Sequence, residues 1–285
     1  MSAAKGKTII EVTVVGPDRK GVVADITNFI FKNSGNIEKI NQNVVRSLFG
    51  MQLEASFAEI ERKHLDDGLK QLAKKLSMEI KIHYQEPNRL QNVAIFVSKE
   101  SHCLAKIIDA KKKGEIKANI PIIIGSDSTL EPMADAAAIQ FQAVSHTDQV
   151  EAENKILQLL DQTNSDLIVL ARYMRVLTPN FVWRYPNRII NIHPSLLPAF
   201  PGLHAQRQAI EHGAKVAGAT VHFLDEGPVD TGPIILQASV PVYPDDTEAS
   251  LSARILIEEH RLYPDAVRLF AEGRLAIVGR RVIVR

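Results

Sequence analysis

Asn191, His193 and, further along, Asp225, Glu226 and Asp230 are the residues of this chain whose types and spacing could do chemistry together. Asn191 and His193 end an apolar run, Arg188-Ile189-Ile190-Asn191-Ile192-His193, which a loop carrying Pro194, Pro198 and Pro201 cuts short. The run reads as a buried strand, and strand side chains alternate faces, so an amide and an imidazole two residues apart project into one crevice. An amide N–H can donate to a developing oxyanion, and an imidazole with a pKa near 6.5 can move a proton at neutral pH. The segment Asp225-Glu226-Gly227-Pro228-Val229-Asp230-Thr231-Gly232-Pro233 is too rich in Gly and Pro to be strand or helix, and it could add a carboxylate. An ionised Asp beside His193 would stabilise the imidazolium and raise its pKa. Taken alone, the same loop also reads as solvated turn residues.

The elements that must hold these groups fall into two grammars. Thr8 to Val15 reads as a strand, and Gly16-Pro17-Asp18-Arg19-Lys20-Gly21 is a turn that breaks it. Val22, Val23, Ile26, Phe29 and Ile30 then recur at helical spacing. Strands follow at Asn36 to Val45 and Met51 to Ile60, with a turn near Ser47 to Gly50, then a helix over Lys63 to Leu76 and a strand at Glu79 to His83. This βαββαβ order specifies a ferredoxin-like sandwich. A polar linker, Gln85 to Arg89, separates a domain over 1–86 from one over 87–285.

Beyond the linker, continuous apolar runs at Val93 to Val97, Ile120 to Ile124, Leu167 to Leu170 and Arg188 to Ile192 read as parallel strands buried on both faces. Helices are expected at His102 to Lys112, Glu131 to Ala138 and Val150 to Gln162, which makes the second domain an open, mostly parallel, Rossmann-like α/β sheet. Later strands at Ala217 to Phe223 and Pro233 to Val240, a helix within Glu248 to Phe270 and a terminal hairpin around Gly279-Arg280 complete it.

Composition excludes several classes. The 285 residues carry 34 Lys and Arg against 33 Asp and Glu, without the basic excess that binding nucleic acid requires. No apolar run reaches the roughly 18 residues of a membrane span, and Met1 to Lys7 precedes no signal-peptide core, so a cytoplasmic protein is expected. Cys103, the single cysteine, permits no intrachain disulfide and cannot by itself build a thiolate metal site; a nucleophilic role for it is the other reading. His193, His204 and His222 match no compact ligand spacing, and no metal is expected. His64, His83, His146, His212 and His260 read as surface or helix-end residues.

Asn191-Ile192-His193-Pro194-Ser195-Leu196-Leu197-Pro198-Ala199-Phe200-Pro201-Gly202, with the later His-Phe and Asp-Thr-Gly-Pro, resembles the formyltetrahydrofolate-dependent formyltransferase domain over about Asn92 to Arg285. The resemblance implies that Asn191, His193 and Asp230 are catalytic. It also implies that the backbone of Tyr173-Met174-Arg175-Val176-Leu177, with Asp225 and Glu226, holds the pterin of 10-formyltetrahydrofolate; taken alone, Met174, Val176 and Leu177 read equally as core. The stretch from Phe223 to Asp230 is one residue longer than the family pattern, as if Pro228 were extra. The first domain resembles an ACT-type regulatory domain through the turn residues Gly16, Asp18 and Gly21. That implies an amino-acid effector, with methionine and glycine the first to test, and a homo-oligomer, dimer or tetramer.

An ACT-type domain ahead of this catalytic domain is the arrangement of the deformylase branch, which Lys99-Glu100-Ser101-His102-Cys103-Leu104 also resembles. That branch hydrolyses 10-formyltetrahydrofolate without a cofactor and links one-carbon balance to purine synthesis. The alternative is transfer of the formyl group to glycinamide ribonucleotide, whose enzymes His193 to Ala209 resembles more closely. Against it, Ser98 to Cys103 holds no glycine to cradle a phosphate, and Glu100 would repel one.

Overall fold

A computed structural model describes residues 7–86, 89–225 and 227–285. The chain divides into two units, Met1–Asn88 with Thr178–Pro186, and Arg89–Leu177 with Asn187–Arg285. In the first, the elements run β1 (Thr8–Pro17), α1 (Val22–Lys32), β2 (Asn36–Val45), β3 (Leu48–Phe57), α2 (Arg62–Leu76) and β4 (Glu79–Tyr84). The sheet is antiparallel in the order β2-β3-β1-β4. Alternation on β1 buries Ile10, Val12 and Val14, and the three- and four-residue spacing of α1 and α2 buries Val22, Ile26, Ile30, Leu65 and Leu69 in the same core. Both helices therefore lie on one face, as the βαββαβ order requires.

Two features of this unit were not in the sequence reading. The β2–β3 hairpin turns at Arg46 and Ser47, both left-handed at φ 50 and 65, rather than over Ser47 to Gly50. A two-residue turn with positive φ at both positions matches the twist of its strands, so β3 starts earlier than expected. Gly50 is no turn residue: it sits inside β3, where any Cβ would collide with the Trp183 ring. Trp183 follows α6 (Pro179–Val182) and is 7 % exposed, and Arg184 Nε donates to Glu79 Oε2 at 2.9 Å.

The second unit contains β5 (Gln91–Val97), α3 (His102–Lys112), β6 (Ala118–Gly125), α4 (Glu131–Asp135), β7 (Gln140–Ala143), α5 (Gln149–Gln162), β8 (Leu167–Ala171) and β9 (Ile189–His193). It continues with α7 (Ala205–Glu211), β10 (Val216–Phe223), β11 (Ile234–Pro241), α8 (Glu248–Ala271), β12 (Leu275–Val278) and β13 (Arg281–Val284). The nine-stranded sheet has the order β12-β13-β11-β10-β9-β8-β5-β6-β7. Strands β5 to β9 are mutually parallel, and β10 joins them antiparallel to β9. Val93 to Val97 are all fully buried, as expected for a central strand covered on both faces. The helix expected over Glu131 to Ala138 stops at Asp135, and Ala138 turns left-handed at φ 53 to start the short, unanticipated β7. Among the described residues, no helix is long and apolar enough to cross a membrane.

Candidate active site

Three parallel strands bring the site together. Val97 of β5 pairs with Ala171 of β8, and Leu170 of β8 pairs with Asn191 of β9, so their carboxyl ends open at one edge of the sheet. The strand order reverses there, because β6 and β7 extend one side of β5 while β8 and β9 extend the other. Open α/β sheets bind their ligands at such a switch point.

Asn191, His193 and Asp230 meet at this edge. His193 Nδ1 lies 3.2 Å from Asp230 Oδ2, with both side chains 7 % exposed. His193 Nε2 lies 2.9 Å from the Phe200 carbonyl. Both ring nitrogens thus face acceptors, which only an imidazolium can satisfy in full. Burial nevertheless outweighs the Phe200 carbonyl and the Asp230 carboxylate and holds His193 below its ordinary pKa. This corrects the expectation of a raised value: Asp230 pushes upward, but desolvation is larger. Asp230 is itself held below the usual carboxylate range; burial works against its charge, and hydrogen bonds from His222 and the Gly202 N–H together with the neighbouring imidazoles overcome it.

Sequence reasoning had set His222 aside, and it belongs to the grouping. Its strand register places it opposite Asn191, with Thr220 opposite His193. His222 Nδ1 sits 2.9 Å from the Phe223 carbonyl and so carries a proton there. Its Nε2 lies 3.4 Å from Asn191 Nδ2 and 3.5 Å from Asp230 Oδ1. The His-Phe pair marked His222 only as part of the family pattern, and the β9–β10 pairing is what places it beside Asn191 and Asp230.

The loops are fixed from below. The buried Thr220 hydroxyl donates to the Ser195 carbonyl at 2.6 Å and accepts from the Leu197 N–H, tying the proline loop to β10. Asp230 stands left-handed at φ 61 and accepts from the Gly202 N–H at 2.9 Å. A side chain at Gly232 would collide with the Phe223 carbonyl, so Asp-Thr-Gly-Pro can fold back onto β10 only with glycine there.

The remaining expected contacts divide. Tyr173 and Leu177 are buried, whereas Met174, Arg175 and Val176 are exposed. Tyr173 Oη sits 2.6 Å from His146 Nε2; the other His146 nitrogen donates to the Val144 carbonyl, so the phenol is the donor. The Met174 N–H donates to Ser98 Oγ at 3.0 Å, and the Val176 carbonyl accepts from Gln149. Asp225 is engaged within its own loop, accepting from the Gly227 N–H and the Thr231 hydroxyl. Glu226 lies outside the described residues. Gly16 ends up inside β1, the Asp18 N–H donates to the Ser47 carbonyl, and Gly21 precedes α1 at φ 90.

Known proteins resemble both units of the chain. Residues 91–267 match the formyl transferase family and residues 8–83 the ACT domain. The chain is 36% identical to a formyltetrahydrofolate deformylase of Synechocystis sp. over 94% of its own length and 95% of that protein's. Among solved structures, a formyltetrahydrofolate deformylase from Pseudomonas syringae is 27% identical, with a TM-score of 0.65 over 98% of this chain and 95% of that one. A glycinamide ribonucleotide transformylase from Symbiobacterium toebii is 44% identical, with a TM-score of 0.66 over 71% of this chain and 96% of that one. The transformylase matches a smaller part of the chain, while the deformylases match it almost end to end. The chain belongs to the formyl transferase family, in the form that joins an ACT domain to the catalytic sheet, the form of the formyltetrahydrofolate deformylases.

Proposed function

We propose that the chain hydrolyses 10-formyltetrahydrofolate to formate and tetrahydrofolate. The observation that carries this reading is the convergence of Asn191, His193 and Asp230 at the switch point of a chain that spans deformylase relatives end to end. Water, oriented by Asp230 and His193, adds to the formyl carbon, and the carbonyl electrons move to its oxygen, which the Asn191 amide steadies. The His193–Asp230 pair takes the water proton. The neutral imidazole that burial favours can accept it once Nε2 exchanges the Phe200 carbonyl for the water, and Asp230 at Nδ1 steadies the resulting imidazolium. Collapse of the oxyanion breaks the bond to the folate nitrogen, which receives that proton from His193. Acid–base help of this kind contributes about 10² to 10⁴-fold, and one oxyanion donor about 10² to 10³-fold. The route draws on protein side chains alone.

The exposed Met174 and Val176, with the Asp225 loop, offer a surface for the pterin. The ACT unit is the regulatory part, taking a small amino acid, with methionine and glycine the first to test, and pairing with a second copy. Such an enzyme balances one-carbon units against purine synthesis. The second reading, formyl transfer to glycinamide ribonucleotide, rests on the identity of the catalytic part to transformylases. Following formate and tetrahydrofolate with and without glycinamide ribonucleotide separates the two. Formate release without the nucleotide is expected; turnover that requires it would establish the second reading.

A further inference from the structure

A second cluster of ligand-type side chains forms where α3 packs on α8. Donor atoms of His102, Cys103 and Glu259 all lie within 4.8 Å of one another. His260 Nε2 stands 3.2 Å from His102 Nδ1. Cys103 is 2 % and Glu259 4 % exposed, yet Glu259 Oε1 makes no hydrogen bond among the described residues. A buried carboxylate oxygen without a partner is costly and rare, and an ion is one of the things that satisfies it.

The proton pattern around His102 suits a ligand. Glu100 Oε2 lies 3.2 Å from His102 Nε2 and can only accept, which leaves Nδ1 as the lone-pair nitrogen. That nitrogen is 3.3 Å from Cys103 Sγ. Around a tetrahedral ion with bonds of about 2.05 Å to nitrogen and about 2.3 Å to sulfur, ligand atoms stand about 3.3 Å (N···N) and about 3.6 Å (N···S) apart. The two spacings observed, 3.2 Å and 3.3 Å, are close to these.

We propose that His102, Cys103, Glu259 and His260 form a tetrahedral site for a zinc-class divalent cation. Two imidazoles, a thiolate and one carboxylate make a borderline-soft set that selects zinc over calcium or magnesium. Glu100 completes it as the outer carboxylate that orients His102, and is itself held by Arg172 Nε and Nη2 at 3.3 Å. A dication and Arg172 against the thiolate and the two carboxylates give a neutral assembly. The cation ties the start of α3 to α8 beside the crevice, and the hydrolysis uses none of its ligands.

Full-length protein stripped with a chelator and titrated with zinc chloride or cobalt(II) chloride tests this without reference to turnover. One equivalent should bind, with a rise in Tm, and cobalt should show thiolate-to-metal charge transfer and intense tetrahedral d–d bands. The wild-type cobalt spectrum requires no variant, so misfolding cannot obscure it. Cys103→Ser should abolish the charge-transfer band. Glu259→Gln should weaken zinc binding more than Glu100→Gln, itself expected to cost about 10 to 100-fold. The absence of saturable zinc binding to the stripped protein, or the same cobalt spectrum from folded Cys103→Ser, would overturn the proposal.

Discussion

Replacing Asp230 with Asn removes the charge that faces His193 while keeping the size of the side chain and an acceptor for the Gly202 N–H. At the observed 3.2 Å, two unit charges attract by about 5 kcal/mol at an effective dielectric of 20, which bounds what the carboxylate contributes once His193 holds a proton. Burial sets the resting imidazole neutral, so the loss falls on the protonated stage of the reaction rather than on substrate binding. The expected result is a kcat lower by about 10² to 10⁴-fold with KM little changed. The pH profile carries a second sign. Asp230 pushes the His193 pKa up, so Asp230→Asn should move the acid limb of kcat/KM to lower pH, from a wild-type limb already below the ordinary 6.5 or so. Stopped-assay kinetics from pH 5 to 8 on variant protein with a wild-type circular dichroism spectrum would measure both. A kcat within about 10-fold of wild type, or an acid limb displaced upward, would refute the reasoning.

Asn191→Ala should lower kcat by about 10² to 10³-fold without unfolding the protein; wild-type turnover would remove the oxyanion role. Because the folded state holds His193 below its ordinary pKa, the unfolded chain binds the extra proton first as pH falls, and stability should decline from about pH 6.5 downward. Thermal melts of His193→Asn should show a shallower decline over that range, and the same slope as wild type would contradict the assignment. Asp230 contributes in a more acidic window: its depressed pKa gives stability that is present above about pH 4 and lost as pH falls through the folded value. Trp183→Ala should destabilise the first unit by about 3–5 kcal/mol, because the ring fills the space above Gly50; a near-neutral denaturant midpoint would show that the segment is peripheral.

Much of the fold was legible because its elements are locally consistent. Continuous apolar runs marked β5, β6, β8 and β9, and alternation marked β1. What escaped was set by tertiary pairing. Gly50 looked like a turn former because the ring it accommodates, Trp183, is far away in sequence. Thr178–Pro186 lies within the stretch assigned to the second domain but packs with the first unit, and no composition shift announces that. At the site, the alternation of β9 put Asn191 and His193 on one face, whereas the direction of the His193 pKa depended on burial that spacing does not encode. His222 and the Glu100–Arg172 pair became visible only once β10 and β8 were seen beside the strands they face.

The account turns on water being the formyl acceptor. Turnover of 10-formyltetrahydrofolate by the purified chain in heavy-oxygen-labelled water, with no nucleotide present, tests it most directly. Formate carrying one water-derived oxygen per tetrahydrofolate released is the predicted result. No formate, with tetrahydrofolate appearing only when glycinamide ribonucleotide is added, would contradict it.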